Sequence, residues 1–291
     1  MEHAARVAYT CRLTALRTYP PPALIMRKLI GSALSEARIV SRRSMLGLSA
    51  TLAAGLGMRK LQAAEQTPPK SASDGLAKIR DILKDYEATW VFTGDSITHG
   101  ALHTYGWRSY VELFAERLRW EMERPKHFVI NTGISGERCE GLLKDIKPRI
   151  LRFEPNVVSV MIGMNDALNG QAGREPFRKR LSQLVLQIQN SGAVALLNTP
   201  NTIYVKKAPE RADVSAYAAM VREVAAATSA PLVDHYEAWQ RAKPNQEDLL
   251  PWLADERIHP GVYGHRALAH EIFRRLDMFD SDSPTCKLEV P

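Results

Sequence analysis

The chain has 291 residues, 45% of them hydrophobic and 24% charged, the balance of a globular protein and not of a disordered or fibrous one. Its formal charge of +7 is unevenly placed: residues 1–64 hold ten Lys/Arg against two Asp/Glu, and the remainder holds 29 against 30. The basicity belongs to the first 64 residues, which removes the main support for a nucleic-acid-binding protein.

Those 64 residues read as an export leader. Paired Arg42 and Arg43 precede a mildly apolar run from Met45 to Gly57, and small Ala63 and Ala64 follow. Charged, apolar and small-residue regions in that order make up an export signal. The arginine pair before Ser-Met-Leu resembles a twin-arginine signal, which implies a periplasmic or extracellular protein. The run is too short and too rich in Gly and Ala for a stable membrane span. The stretch ahead of the arginines is long for such a signal, and initiation at Met26 or Met45 would shorten it.

Residues 65–74, polar and proline-containing, read as a linker, and 75–291 as one domain. From there two patterns alternate. Short β-rich runs occur at "TWVFTG", "HFVINTG", "NVVSVMIG", "AVALLNT" and "PLVD". Helical patterns lie between and after them: "GWRSYVELFAERLRWEMER", "CEGLLKDIKPRILRF", "REPFRKRLSQLVLQIQNSG", "VSAYAAMVREVAAATSA" and "GVYGHRALAHEIFRRL". In the third, Phe177, Leu181, Leu184, Val185 and Ile188 recur at steps of three and four and form one apolar stripe. Five short strands separated by helices predict a parallel sheet covered on both faces, a three-layer α/β/α sandwich.

The notable polar clusters follow the strands: "GDSITHG" the first, "NTGISGER" the second, "GMNDA" the third and "TPNTIY" the fourth. Open parallel sheets bind ligands outside the carboxyl ends of their strands. Taken singly, each cluster has a plain structural reading. Asp95 or Ser96 can cap a helix, Gly133 to Gly136 can make a tight turn, Asn165-Asp166 can be another cap, and His259-Pro260 a surface turn. Taken together they supply the parts of acyl transfer. A serine hydroxyl needs an imidazole to take its proton, and His259 lies at the entrance to the last helix, at the same sheet edge as Ser96. The imidazole needs a carboxylate partner, and "ADERIHP" offers two. A tetrahedral intermediate needs fixed donors, available from the backbone N–H groups of Ser96 and Gly136 and the amide of Asn165.

In order and spacing, "GDSIT", "NTGISGE", "GMND" and "IHP" resemble the blocks of the SGNH (GDSL-type) hydrolase family over about residues 90–276. The resemblance implies a flavodoxin-like sandwich and a serine esterase or lipase with no metal or cofactor. It makes Ser96 the nucleophile and an oxyanion donor, Gly136 and Asn165 the other two donors, and His259 the base. The nucleophile lies in a Gly-Asp-Ser turn, unlike the Gly-x-Ser-x-Gly elbow of the α/β-hydrolases. One departure concerns the acid. The family sets an aspartate three residues before the histidine, where this chain has Glu256; Asp255 is four away. Spacing favours Glu256 and chemical identity favours Asp255, so the partner is Glu256 or Asp255.

The remaining candidates carry less. His99 and His103 are four apart, but Gly100 and the turn-like "HGALHTYG" speak against a metal-binding helix. Asp234-His235 reads as structural, and Asp166 as ordering the loop that carries Asn165. Arg138 suits substrate contact and a surface ion pair equally. Trp107, Tyr110 and Phe114, at helical spacing, read as core; Trp120 and Trp252 are candidates for an acyl or sugar pocket. Cys139 and Cys286 read as two unpaired structural thiols. The reading is an exported serine hydrolase of small acyl esters, with acetyl groups on carbohydrates as candidate substrates and no nucleic-acid partner. An O-acyltransferase with the same site and a non-catalytic ligand-binding module are the alternatives. A nucleotide-binding role lacks both the Walker lysine and the spaced glycines of a dinucleotide fingerprint.

Overall fold

A computed structural model describes residues 72–254 and 257–291. The leader assigned to residues 1–64 lies outside them, as do Asp255 and Glu256. Five strands form the sheet: β1 (Ala88–Gly94), β2 (His127–Asn131), β3 (Val157–Met161), β4 (Val194–Asn198) and β5 (Leu232–Val233). All pairings are parallel, in the order β2-β1-β3-β4-β5. Every residue of β3 and β4 is buried. Their mostly apolar character follows, since helices cover both faces and leave no side to alternate toward water; the two polar residues, Ser159 and Asn198, bond to each other. β2, on the edge, exposes Phe128 and Asn131.

The chain leaves β1 for the edge strand β2, then returns across β1 to β3 and continues outward. The reversal falls between β1 and β3, the place where an open α/β sheet leaves a crevice at the strands' carboxyl ends. Gly94 pairs with Met161, and Phe92 with Asn131. The loops after β1, β2 and β3 therefore leave the sheet side by side.

Nine α-helices occur among the described residues: α1 (Ala72–Ile82), α2 (Ser96–His99), α3 (Tyr110–Glu116), α4 (Cys139–Lys144), α5 (Ile146–Arg149), α6 (Gly170–Asn190), α7 (Val214–Thr228), α8 (His235–Ala242) and α9 (Val262–Arg275). α6 packs against α4 and α7, and α3 against α9. The apolar stripe of α6 is buried along its whole length. None of the described helices is long and apolar enough to cross a membrane.

Several elements differ from the sequence reading. The pattern over 139–153 is not one helix but α4, α5 and a 3-10 turn (Leu151–Phe153). Pro148 has no N–H to continue the ladder and is tolerated only because it falls in the first turn of the short α5. α3 begins at Ser109, where a capping box with Glu112 sets its start, and passes into a π turn over Arg117–Glu121. Trp107 thus lies ahead of the helix and is 58% exposed, whereas Tyr110 and Phe114 are core as read. α1 begins inside the stretch read as linker, which shortens that linker. α8, capped by Asp234, was not anticipated as a helix.

Candidate active site

Asp95 leaves β1 as the N-cap of α2, its Oδ1 accepting from Ile97 N at 3.0 Å. Ser96 is thereby the first residue of a single helical turn, closed by Gly100 in the left-handed conformation. From this half-buried position Ser96 Oγ lies 2.6 Å from His259 Nε2, across 163 residues of sequence. His259 owes its place to hydrogen bonds from two segments of the chain. Gly261 N donates to Trp252 O and Ala254 N to His259 O, each at 2.8 Å, while Leu253 and Pro260 pair as an antiparallel bridge. From the loop after β4, buried Asn201 Nδ2 donates to Ile258 O, and Tyr204 N to Arg257 O, both at 3.1 Å. The polar cluster "TPNTIY" therefore holds the histidine segment.

The loop after β2 needs two of its glycines for different reasons. A Cβ at Gly133 would stand 2.5 Å from His99 N, so that glycine lets the loop pack on α2. Gly136 has φ +82°, and a Cβ there would meet nothing within 4 Å; its glycine serves the backbone conformation and faces open space. The loop is fixed to its neighbours by charge. Arg149, on α5, donates to Thr132 O at 2.8 Å and to Gly94 O at 3.4 Å, and forms a buried ion pair with Glu137. Ile134 N also donates to Gly94 O at 3.1 Å.

The loop after β3 closes the group. Asn165 Nδ2 donates to Glu137 O at 3.1 Å, directly beside Gly136, and Arg211 Nη2 approaches Asn165 Oδ1 at 3.5 Å. Both carboxylate oxygens of Asp166 accept from Cys139 N, at 3.1 and 3.3 Å, tying this loop to the start of α4. Asp166 thus orders the segment carrying Asn165, as read. Ser96 and His259 are in direct contact, and Gly136 and Asn165 are joined through Glu137. Asp255 and Glu256, the two candidates for the acid, fall outside the described residues.

Burial governs the charges here. It pushes the Asp95 carboxyl up to about 7; nearby Asp166 adds to the rise, and the Ile97 N–H and Arg211 oppose it. Asp166 is raised to about 6, again chiefly by burial. His265 accepts from Tyr110 N at 3.2 Å. It is pulled down to about 3 by burial, with His259 and His103 adding to the effect. His103 stacks on His259, ring centroids 3.6 Å apart.

The other candidates fall elsewhere. His99 Nδ1 lies 3.0 Å from Ser135 Oγ. Exposed Arg138 donates to Asn169 Oδ1 at 3.2 Å. Asp234 caps α8 and pairs with Arg222, while buried His235 reaches Asn198 Oδ1 through Nε2 at 3.2 Å, a structural pairing as read. The two candidate tryptophans, Trp120 and Trp252, lie apart, and Trp252 lines a cavity of about 210 Å³ with Trp239 and His270. Trp252 is buried edge-on against Trp239, its indole N–H donating to Pro291 O at 2.6 Å. Trp120 is 80% exposed on the π turn, beside a cavity of about 410 Å³ that it shares with Arg119 and Pro284. Because α3 starts at the carboxyl edge and runs back toward the start of β2, Trp120 stands at the sheet's opposite end. Cys139 and Cys286 are buried and free. Arg149, Asn201, Arg211 and His103 were not assigned these contacts from sequence. Each acts across loops, and no local pattern marks such a contact.

An open parallel sheet in the order 2-1-3-4-5 is a flavodoxin-like α/β/α fold, and Ser96, Gly136, Asn165 and His259 lie on loops at its carboxyl edge. The chain belongs to the GDSL-like lipase/acylhydrolase family, whose model matches residues 92–267, and it is a carboxylic ester hydrolase. Over 211 residues it is 28% identical to an acetylxylan esterase of Geobacillus stearothermophilus, covering 64% of this chain and 92% of that one. The crystal structure of that esterase matches with a TM-score of 0.56 at 25% identity, over 65% of this chain and 94% of the other. LAE5, an α/β hydrolase enzyme from the metagenome of Lake Arreo, Spain, matches with a TM-score of 0.57 at 25% identity, over 67% and 97%. Catalytic mutants of the Geobacillus esterase replace a serine, an aspartate and a histidine, the aspartate three residues before the histidine.

Proposed function

We propose that the protein hydrolyses short acyl esters, acetyl groups on carbohydrates foremost, through an acyl-enzyme on Ser96. The observation that carries this reading is the 2.6 Å contact between Ser96 Oγ and His259 Nε2, within the reach a general base needs. Ser96 Oγ attacks the acyl carbonyl carbon as its proton passes to Nε2. The carbonyl oxygen, now negative, is held by the N–H groups of Ser96 and Gly136 and by the Asn165 amide. Collapse breaks the bond to the alcohol oxygen, which takes the proton from Nε2. Water then repeats the sequence on the acyl-enzyme and releases the carboxylic acid. Glu256 or Asp255 supports the imidazolium.

The acetyl and carbohydrate parts of the reading come from the similarity to an acetylxylan esterase. Export through the residue 1–64 leader belongs to the same reading, and cell fractionation tests it. A serine-directed fluorophosphonate tests the chemistry: the protein takes the label, and Ser96→Ala loses both label and turnover. Labelling that survives Ser96→Ala overturns the assignment. Acetate release from acetylated xylo-oligosaccharides, set against aryl esters graded by chain length, tests the substrate. Turnover of the aryl esters alone removes the carbohydrate half.

A further inference from the structure

We propose that His103 is a positioning residue for the His259 ring, and that the loop from Ala101 to Trp107 is folded to hold it there. The proposal rests on the reading of His259 as the general base.

The two imidazoles lie face to face, centroids 3.6 Å apart and planes 7° from parallel. Contact of this kind covers the face of His259 and leaves Nε2 to Ser96. A base that gains and loses a proton within one turnover must keep its ring plane while its hydrogen bonds change. A flat neighbour restrains that plane without competing for the nitrogen. His265, also close to both rings, is held neutral by burial and is occupied by Tyr110 N, so it brings no charge to the stack.

The loop itself shows what it is folded for. Leu102 (φ +66°) and Tyr105 (φ +50°) both adopt the left-handed region that non-glycine residues avoid, and they flank His103 and Thr104. The turns between them are tight: His103 N donates to Ala101 O at 2.7 Å, Tyr105 N to Leu102 O at 3.3 Å, and Trp107 N to Thr104 O at 2.9 Å. The two residues that bear the positive φ values are themselves exposed, Leu102 by 80% and Tyr105 by 60%. The residues turned inward are Thr104, which is buried, and His103, which meets His259. Strain on both sides of His103 points to the contact with His259 that it makes possible.

The test measures kcat and KM on an aryl acetate for His103→Ala, His103→Asn and His103→Phe, with His259→Ala alongside. Both variants without a flat ring should lose about 10- to 100-fold in kcat while KM moves less than about twofold. His103→Phe, flat but lacking ring nitrogens, should recover most of the rate. Wild-type kcat in the Ala and Asn variants overturns the proposal. So does a Phe variant as slow as Ala, or an effect confined to KM, which would mark a substrate contact instead. If either non-stacking variant fails to fold, the other and the Phe variant still decide. An active His259→Ala would sink the base assignment itself, whereas an inactive one beside unaffected His103 variants would sink only the stack.

Discussion

At the acid position two neighbouring carboxylates compete, and the geometry around His259 frames the choice. The carbonyl of Ile258 is held by Asn201 and that of His259 by Ala254, so the backbone that carries the ring is fixed. Whichever carboxylate serves must come to this ring. Glu256 stands three residues before His259, the spacing at which the family resemblance sets the acid, and has one methylene more than an aspartate. Glu256→Gln is therefore expected to lower kcat by about 10³–10⁴-fold, the scale seen when a triad acid is neutralised in place, and Asp255→Asn only slightly. The opposite ranking, measured in parallel assays, would transfer the role to Asp255.

Arg149 shows how an element far from the chemistry can govern it. One guanidinium from α5 reaches the end of β1, the end of β2 and the Glu137 carboxylate, and so fixes the loop that carries Gly136. Both members of the pair are largely buried. Arg149→Met leaves Glu137 an uncompensated buried charge, expected to cost about 3–5 kcal/mol, and loosens the loop. Adding Glu137→Gln should restore part of the melting temperature without restoring turnover; equal recovery of both would mean that the pair only stabilises. Neither the sequence pattern nor the spacing around Arg149 signals this link. Periodicity tells which face of a helix is apolar, as it did for α6, but not which loop a polar side chain on α5 meets. The same limit hid Asn201, Arg211 and the stacking of His103. The strands were legible because β3 and β4, buried on both faces, leave short, mostly apolar β-rich runs. Ser96, Gly136, Asn165 and His259 were legible because each stands at a strand end or helix entrance in a recognisable block. α8 was not, since it spans only eight residues, about two turns, directly after the two-residue strand β5.

Over the whole molecule, buried titratable groups act on stability in opposite senses. Folded Asp95 keeps its proton up to about pH 7, well above its ordinary 3.8. Its contribution is therefore complete below pH 3.8 and is lost as pH climbs to 7. His235 and His265, both held down to about 3, act in reverse: their cost appears as pH falls below 6.5 and grows toward 3. Asp95→Asn keeps an acceptor for Ile97 N and removes the charge. It should melt higher than the parent at pH 8, by a margin on the order of 4 kcal/mol, and match it near pH 3.5. A margin that did not change with pH would rule out this account of Asp95. The open ground beside Gly136 has a consequence for inhibitor chemistry. On the proposed reading of Gly136 as an oxyanion donor, a boronic acid captured by Ser96 would sit next to a backbone position where an added Cβ meets no protein atom within 4 Å, so substituents grown in that direction gain room before they meet a wall.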